Sequence, residues 1–332
     1  MSSRSTQRVP ASDIRKLAIS AWQARGGSHE AGEALVGASL EADCSGRPAV
    51  GLAHFVDYLD AIVGGRIDGA AVPVIEQPFP GAICCDARNG IAQHGFALAL
   101  DRLAEAARTC GIAIFTLRNC YTAGEMGHYV RHVAERGLIG LATANASAMM
   151  AAAPGAAITY GTNPLAFAAP RLAPHPPLVF DQATSATAFV NIARAADDGL
   201  TLPAGWAADA AGVPTTDPVA AANGALLPFG GPKGANLALM VEVLSAGLGG
   251  GQWSMDAGHF LRGTRPPGIG VIVIAIAPTL AGPDMIARLD AQLDRLAAGG
   301  VHIPGKLTPL DLPAEVEVEV ATLKKIRAHA AG

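Results

Sequence analysis

The sequence predicts an α/β protein with a helical lobe at its N-terminal end. Three observations carry this expectation. Apolar residues recur at helical spacing through the first 65 positions, short apolar runs then alternate with helical patterns up to about residue 143, and 50% of the 332 residues are apolar. A chain of this length holds about two domains at ~150 residues each. With 16% charged residues and a mean hydropathy of +0.31, it is expected to bury a dense core.

The first helix is expected from Ser12 to Arg25, where Ile14, Leu17, Ala18, Ala21 and Trp22 share a face and Ser12 is the N-cap. A second covers residues 29–43. A third runs through Leu52, Phe55, Tyr58, Leu59 and Ile62 until Gly64 and Gly65 stop it. Strands at 72–75 and 82–85 precede a helix over about 93–110 and a strand over 111–117. A helix over about 125–137 then leads to a strand at 138–143. Proline and glycine crowd residues 154–232 in the clusters PGAAITYGTNP, RLAPHPP, LPAGW and GVPTTDP, which reads as loops lining a site. A helix over 233–248 is closed by three glycines, and a β-branched buried strand covers 268–278. The last clear helix carries Ile286, Leu289, Leu293 and Leu296 on one face and ends at Gly299.

Charge and composition exclude several classes. Twenty-four Lys and Arg against 28 Asp and Glu leave a formal charge of -4 with no long run of either sign, so no nucleic-acid partner is expected. The longest strongly apolar stretch, 268–278, is far short of the ~20 residues that cross a bilayer. No membrane partner is expected. The polar opening MSSRSTQRVPASDIRK lacks the apolar core of a secretory signal, and a cytoplasmic location follows as an expectation. Cys44, Cys84, Cys85, Cys110 and Cys120 form no C-x-x-C pair and are read as reduced, mostly buried thiols. No metal is expected, since His128 and His132 stand at i, i+4 without a third ligand in the sequence around them.

Two motifs point toward chemistry. Gly230-Gly231-Pro232-Lys233-Gly234 directly precedes a helix, so its backbone N–H groups and the helix dipole could cradle a phosphate with Lys233 as counter-charge. On pattern alone, a tight turn with a solvent-facing lysine is the favoured reading. Asp181 follows the apolar run Leu-Val-Phe and precedes Gln182-Ala183-Thr184-Ser185, a setting for a catalytic carboxylate or for a helix cap. The Rossmann fingerprint G-x-G-x-x-G between strand and helix is absent, as are G-x-S-x-G and a P-loop.

The segments GLIGLATANAS, YGTNPLAFAAP, VFDQATS, GWAADAAGVPTTDP, GALLPFGGPKGANLALMVEVL and HIPGK, in this order, resemble the malate/L-lactate dehydrogenase family of the second, non-Rossmann type. That family includes ureidoglycolate and sulfolactate dehydrogenases, diketogulonate reductase and Δ1-piperideine-2-carboxylate reductase. The resemblance covers about residues 12–310. It implies a homodimer and a mainly antiparallel nicotinamide-binding sheet flanked by helices, with a cleft against the helical lobe. The implied layout is a helical lobe over 1–70, an α/β body over 71–120 that packs with the C-terminal segment, a cofactor-binding domain over 121–270, and a C-terminal strand and helix over 271–332 returning to the body. It also implies NADPH or NADH as cofactor, held by Asn145, Ser147, Gly161, Thr162, Asn163, Asp181, Gln182, Ala183, Thr184, Lys233, Pro304, Gly305 and Lys306.

The departures bear on mechanism. Family members carry D-S-H-G-x-x-R in the helical lobe, where the histidine donates a proton and the arginine holds the substrate carboxylate. Here the stretch reads Pro48-Ala49-Val50-Gly51-Leu52-Ala53-His54, so Val50 replaces the histidine and His54 the arginine. The second family histidine, in N-S-N-H-F-G, corresponds to Thr122 in Asn119-Cys120-Tyr121-Thr122-Ala123-Gly124. A further basic position is Asn191. The expected catalytic set is therefore His54, oriented by Asp181, with Thr122, and Val50, Tyr121 and Asn119 border an unusually apolar substrate pocket. The favoured substrate is a small carboxylate with an adjacent C=N bond, a cyclic imine-2-carboxylate, because a protonated imine accepts hydride without leaving an oxyanion. A 2-hydroxy acid dehydrogenase using His54 as substitute donor is the alternative, and a cofactor-binding homologue without catalysis is another.

Overall fold

The structure is a computed structural model that describes residues 5–305 and 312–332. The chain runs through β1 (Thr6–Pro10), α1 (Ala11–Ala24), α2 (His29–Cys44), α3 (Leu52–Val63), β2 (Val74–Phe79), β3 (Ala82–Asp86), α4 (Ala92–Cys110), β4 (Ile112–Cys120) and α5 (Met126–Glu135). Next come β5 (Ile139–Ala144), β6 (Met150–Ala151), β7 (Ile158–Tyr160), β8 (Leu165–Ala169), β9 (Leu178–Gln182), α6 (Phe189–Asp197), β10 (Ala207–Ala208), β11 (Pro214–Thr215), α7 (Pro218–Ala222) and β12 (Ala225–Leu226). The last elements are α8 (Pro232–Glu242), β13 (Ile269–Ile276), α9 (Met285–Ala298), β14 (Glu315–Glu319) and α10 (Val320–Ala330).

A seven-stranded sheet in the order β2-β3-β4-β13-β5-β8-β9 forms the centre, antiparallel at every pair except β3–β4. Strand β13 (IGVIVIAI) is β-branched at six of eight positions and is covered on both faces, which suits a middle strand. Its odd-numbered residues, Ile269 to Ala275, join Phe96, Phe115, Leu117, Tyr129 and Val133 in the core beneath α4 and α5. Successive side chains alternate faces, so Gly270 points the other way. There a Cβ would lie 1.9 Å from Ser245 O, in the π-helical turn Val243–Leu248 that follows α8. This turn interrupts the single helix expected over 233–248. A smaller five-stranded sheet, β11-β10-β12-β6-β7, packs around Met150, Ile192 and Leu226 beside α8.

The helical lobe combines α1, α2, α3 and α10 around Ile14, Trp22, Leu35, Phe55, Leu59 and Ile326, with β1 and β14 pairing as a two-stranded ribbon. Ser12 is not the N-cap of α1. The helix begins at Ala11 after Pro10, the last residue of β1, and the Ser12 hydroxyl donates to Asp13 Oδ1 instead. A side-chain cap does occur at α2, where Ser28 accepts from the Ala31 N–H at 3.3 Å. The chain continues past the helix read as the last. Strand β14 has only two inward residues, Val316 and Val318, between glutamates, too short a pattern to stand out without its partner. The five cysteines are free thiols, but only Cys85 and Cys120 are buried and Cys110 is exposed at the end of α4, so the expectation of mostly buried thiols is corrected. Among the described residues no helix is long and apolar enough to cross a membrane.

Asp43, at the end of α2, accepts from the Leu52 N–H at 3.0 Å and so caps α3, whose N-cap Gly51 has no side chain. Burial pushes its carboxyl up to about 7, the Leu52 amide opposes this, and the charge of Glu319 adds to it. A carboxyl raised from 3.8 to about 7 on folding favours its protonated form in the native state. Its contribution to stability is therefore highest below about pH 4, falls as pH rises to 7, and is level beyond. Asp43→Asn keeps the acceptor and removes the charge. The variant is expected to be more stable than the parent at pH 8 by more than about 1 kcal/mol and nearly equal at pH 4. Denaturant unfolding at both values checks this, and a parent-like pH slope in the variant refutes it.

Candidate active site

Helix α3 carries His54 and, one turn later, Asp57, while β4 ends at Cys120 and delivers Tyr121 and Thr122 beside them. His54 Nδ1 lies 2.8 Å from Asp57 Oδ2, and His54 Nε2 lies 3.0 Å from Thr122 Oγ1. Thr122 Oγ1 in turn donates to Tyr58 Oη at 2.6 Å, and Gln93 Nε2 donates to the same phenol oxygen at 3.3 Å. With the threonine proton committed to Tyr58, Oγ1 is left to accept from His54, and a carboxylate only accepts. An imidazole held between a carboxylate and a hydroxyl is oriented to pass a proton to or from a bound molecule.

The sequence reading placed Asp181 behind His54; the structure places Asp57 there instead, and Asp181 elsewhere. Tyr121 is fully buried and donates to Phe260 O at 2.7 Å, so it supports the site from behind. Asn119, at a positive φ of 57°, ties the end of β4 to Asp86 Oδ1 at 3.0 Å. Val50 closes the short 3-10 turn Pro48–Val50 just before α3 and is half-buried.

Asp181 sits on β9 and accepts from the Gly127 N–H at 3.0 Å, capping α5 from a neighbouring strand. Of the two readings its sequence left open, the capping contact is thus realised, with Arg47 Nη1 at 3.5 Å beside it. Burial pushes the Asp181 carboxyl above its ordinary range, against the pull of Arg47 and the Gly127 amide. Arg47 also lies 3.4 Å from Glu125, and Glu125 is bidentate to Arg131 at 2.6 and 3.0 Å in a buried pair. Glu125 follows Thr122 by three residues, so this charged cluster borders the His54 network.

The segments expected to hold a cofactor converge. Gly161 packs so closely on the Asn145–Ser147 loop that a Cβ would lie 2.5 Å from Ala146 O. Thr162 O accepts from both N–H and Oγ1 of Thr184 at 2.9 Å, and Thr184 O accepts from Phe229 N, the residue before the Gly230-Gly231 turn. Gly305 packs on β9, where a Cβ would lie 2.5 Å from Pro177 O, next to Pro304; Lys306 lies outside the described residues. Side chains of Asn145, Ser147 and Asn163 face inward. Asn145 bonds Gln252 O and Gly270 N, Ser147 bonds Gly258 O, and Asn163 bonds Ala238 O and Glu242. Gln182 and Lys233 are exposed, and Ala183 is half-buried.

The turn before α8 opens on a cleft of about 480 Å³ bordered by Ala153, Ala186, Trp206, Phe229, Gly231 and Pro232. Gly230 and Gly231 both adopt positive φ, 58° and 61°, which turns the chain so that the first amides of α8 are unpaired by helix geometry. The cleft ends at a helix N-terminus, a setting suited to a phosphate group, and the exposed Lys233 follows the last residue of its wall. Sequence reasoning missed Asp57, Tyr58, Arg47 and Glu125. The i, i+3 spacing of His54 and Asp57 was the one visible signal. It also missed Glu41, which meets His128 and His132 across α2 and α5 and supplies the third potential ligand their spacing lacked.

A sequence profile described as malate/L-lactate dehydrogenase matches residues 9–309. The chain is 36% identical over 305 residues to a Δ1-pyrroline-2-carboxylate/Δ1-piperideine-2-carboxylate reductase of Pseudomonas putida, covering 90% of this chain and 89% of that protein. It is 32% identical over 323 residues to a (2R)-3-sulfolactate dehydrogenase (NADP+) of Chromohalobacter salexigens, covering 96% of each. Among solved structures, Δ1-piperideine-2-carboxylate reductase from Pseudomonas syringae pv. tomato superposes with a TM-score of 0.90 at 34% identity, over 97% of this chain and 99% of that one.

The charged cluster yields a stability test. Glu125→Ala strands the buried Arg131 guanidinium and is expected to cost about 3–5 kcal/mol, whereas Arg47→Ala, at a half-exposed position, costs about 1 kcal/mol or less. Thermal and denaturant unfolding of both variants checks the contrast; equal losses would refute it.

Proposed function

Since this chain belongs to the malate/L-lactate dehydrogenase family and is an oxidoreductase, we propose that it reduces cyclic imine-2-carboxylates of the Δ1-pyrroline and Δ1-piperideine type with NADPH or NADH. The observation that carries the reading is whole-chain likeness to proteins named for that reaction, 36% identical in sequence and superposing at a TM-score of 0.90. The reading also takes the protein as a cytoplasmic homodimer.

When bound, the reduced nicotinamide supplies a hydride to the imine carbon. The Gly230-Gly231 turn and the first amides of α8 would hold its phosphates, with Lys233 as counter-charge for a pyrophosphate or a 2′-phosphate. Gly161, Thr162 and Thr184 shape the neighbouring wall. Arg47, half-exposed beside Asp181, takes the substrate carboxylate in place of the family arginine that His54 has replaced. His54 holds a proton on Nε2, and Asp57 keeps the ring oriented. That proton passes to the ring nitrogen directly or through Thr122 Oγ1. The iminium formed then becomes a secondary amine as its carbon gains hydride, so no oxyanion develops.

The likeness to a sulfolactate dehydrogenase favours a second reading in which the same ring protonates the alkoxide formed from a 2-oxo acid. Loss of reduced-nicotinamide absorbance is followed with Δ1-piperideine-2-carboxylate, Δ1-pyrroline-2-carboxylate and a panel of 2-oxo acids. Turnover of the imines supports the proposal, turnover of 2-oxo acids alone replaces it with the second reading, and cofactor binding without turnover marks a non-catalytic homologue. His54→Ala is expected to lower kcat by about 10²- to 10⁴-fold. Unchanged turnover removes His54 from the mechanism.

A further inference from the structure

Away from the His54 network, two helices bring three good metal ligands together. His128 and His132 stand four residues apart on α5, so their rings leave one face and meet at a centroid separation of 4.6 Å. Opposite them α2 presents Glu41. Its Oε2 lies 2.7 Å from His128 Nδ1, and its Oε1 lies 3.1 Å from His132 Nε2. One ligand atom from each residue lies within 4.8 Å of the other two. Donor atoms around a tetrahedral Zn²⁺ with bonds of about 2.0–2.1 Å sit about 3.3 Å apart, so the short Glu41 contacts would widen and the wider spacings close, adjustments within reach of side-chain rotation.

The surroundings match what a bound cation needs. His132 Nδ1 lies 3.1 Å from Glu135 Oε2, the carboxylate contact that fixes a ligating imidazole with its Nε2 lone pair free for the ion. With neutral imidazoles, the carboxylates of Glu41, Glu125 and Glu135 stand against two guanidiniums, Arg131 and the half-exposed Arg47, leaving one formal negative charge for a divalent ion to offset. Arg131 lies 3.7 Å from Glu41 but is held by its shorter bidentate pair with Glu125, so it does not fill the space between the histidines. His128 is backed by Phe96 and Tyr129. The side chains of Glu41 and His132 remain 21% and 26% exposed, enough for water to reach a fourth coordination position.

We propose that Glu41, His128 and His132 form a divalent transition-metal site, suited to Zn²⁺, that fastens α2 to α5. The site lies outside the reduction chemistry. It restrains the helix whose first turn offers the Gly127 amide to Asp181, and so joins the helical lobe to the sheet. Untagged, chelator-treated protein is titrated with Zn²⁺ by calorimetry and with Co²⁺ by visible spectroscopy. The expected result is one equivalent of Zn²⁺ per chain, intense tetrahedral Co²⁺ bands, and a raised thermal midpoint. His128→Ala with His132→Ala is expected to weaken binding at least 100-fold, and Glu135→Gln by about 10- to 100-fold. Less than one equivalent of Zn²⁺, absent Co²⁺ bands in the parent protein, or undiminished affinity in the double variant overturns the proposal. None of these readouts depends on turnover, so its failure is distinguishable from failure of the reductase reading.

Discussion

The pairing of Ile269–Ile276 with both Ile112–Cys120 and Ile139–Ala144 is the constraint around which this molecule is organised. It brings a strand from late in the chain between two laid down roughly 130–165 positions earlier, with hydrogen bonds on both edges and apolar cover on both faces. Burial at roughly 25 cal/mol per Å² of apolar surface makes such a strand costly to move. The first two residues of the strand set two parts of the site. Cys120 pairs with Ile269, which fixes where the chain turns off toward Tyr121 and Thr122, and Gly270 donates to Asn145 Oδ1, which fixes the loop against which Gly161 packs.

On that frame the charged and polar groups divide into two neighbouring systems. Asp57, His54, Thr122 and Tyr58 form a hydrogen-bonded line. Asp181, Arg47, Glu125 and Arg131 form an alternating chain of charges that is exposed at Arg47 and buried at Arg131. With Val50 and His54 in the stretch before and at the start of α3, the lobe still presents an imidazole, at His54, and a guanidinium, at Arg47.

Much of this was legible in the sequence, for identifiable reasons. Long periodic helices such as α2 and α4, and the β-branched run of β13, declare themselves through burial patterns that need no partner to be read. The glycines at 161, 230 and 231 were legible as motif members, and their cause is now physical: close approach in one case, positive φ in the others. What the sequence hid depends on contacts between distant positions. Asp181 reads as a strand-end carboxylate until Gly127, 54 residues earlier, is seen to be its partner. Strand β14 has no signal without β1, and Glu41 is one glutamate among many until α2 lies on α5.

The ribbon of β1 and β14 joins Thr6 to Glu319, and α10 then packs on α1 in the lobe that carries His54. Closing a loop of that length carries an entropic penalty that grows only slowly with chain length, yet it must be met before the contacts it permits form. At about 5–20 residues per second, the stretch between α3 and β14 takes roughly 12–50 s to synthesise, and for that time the first helices keep one apolar side uncovered. The helical lobe is therefore begun early and closed late, and its packing depends on segments at opposite ends of the described chain.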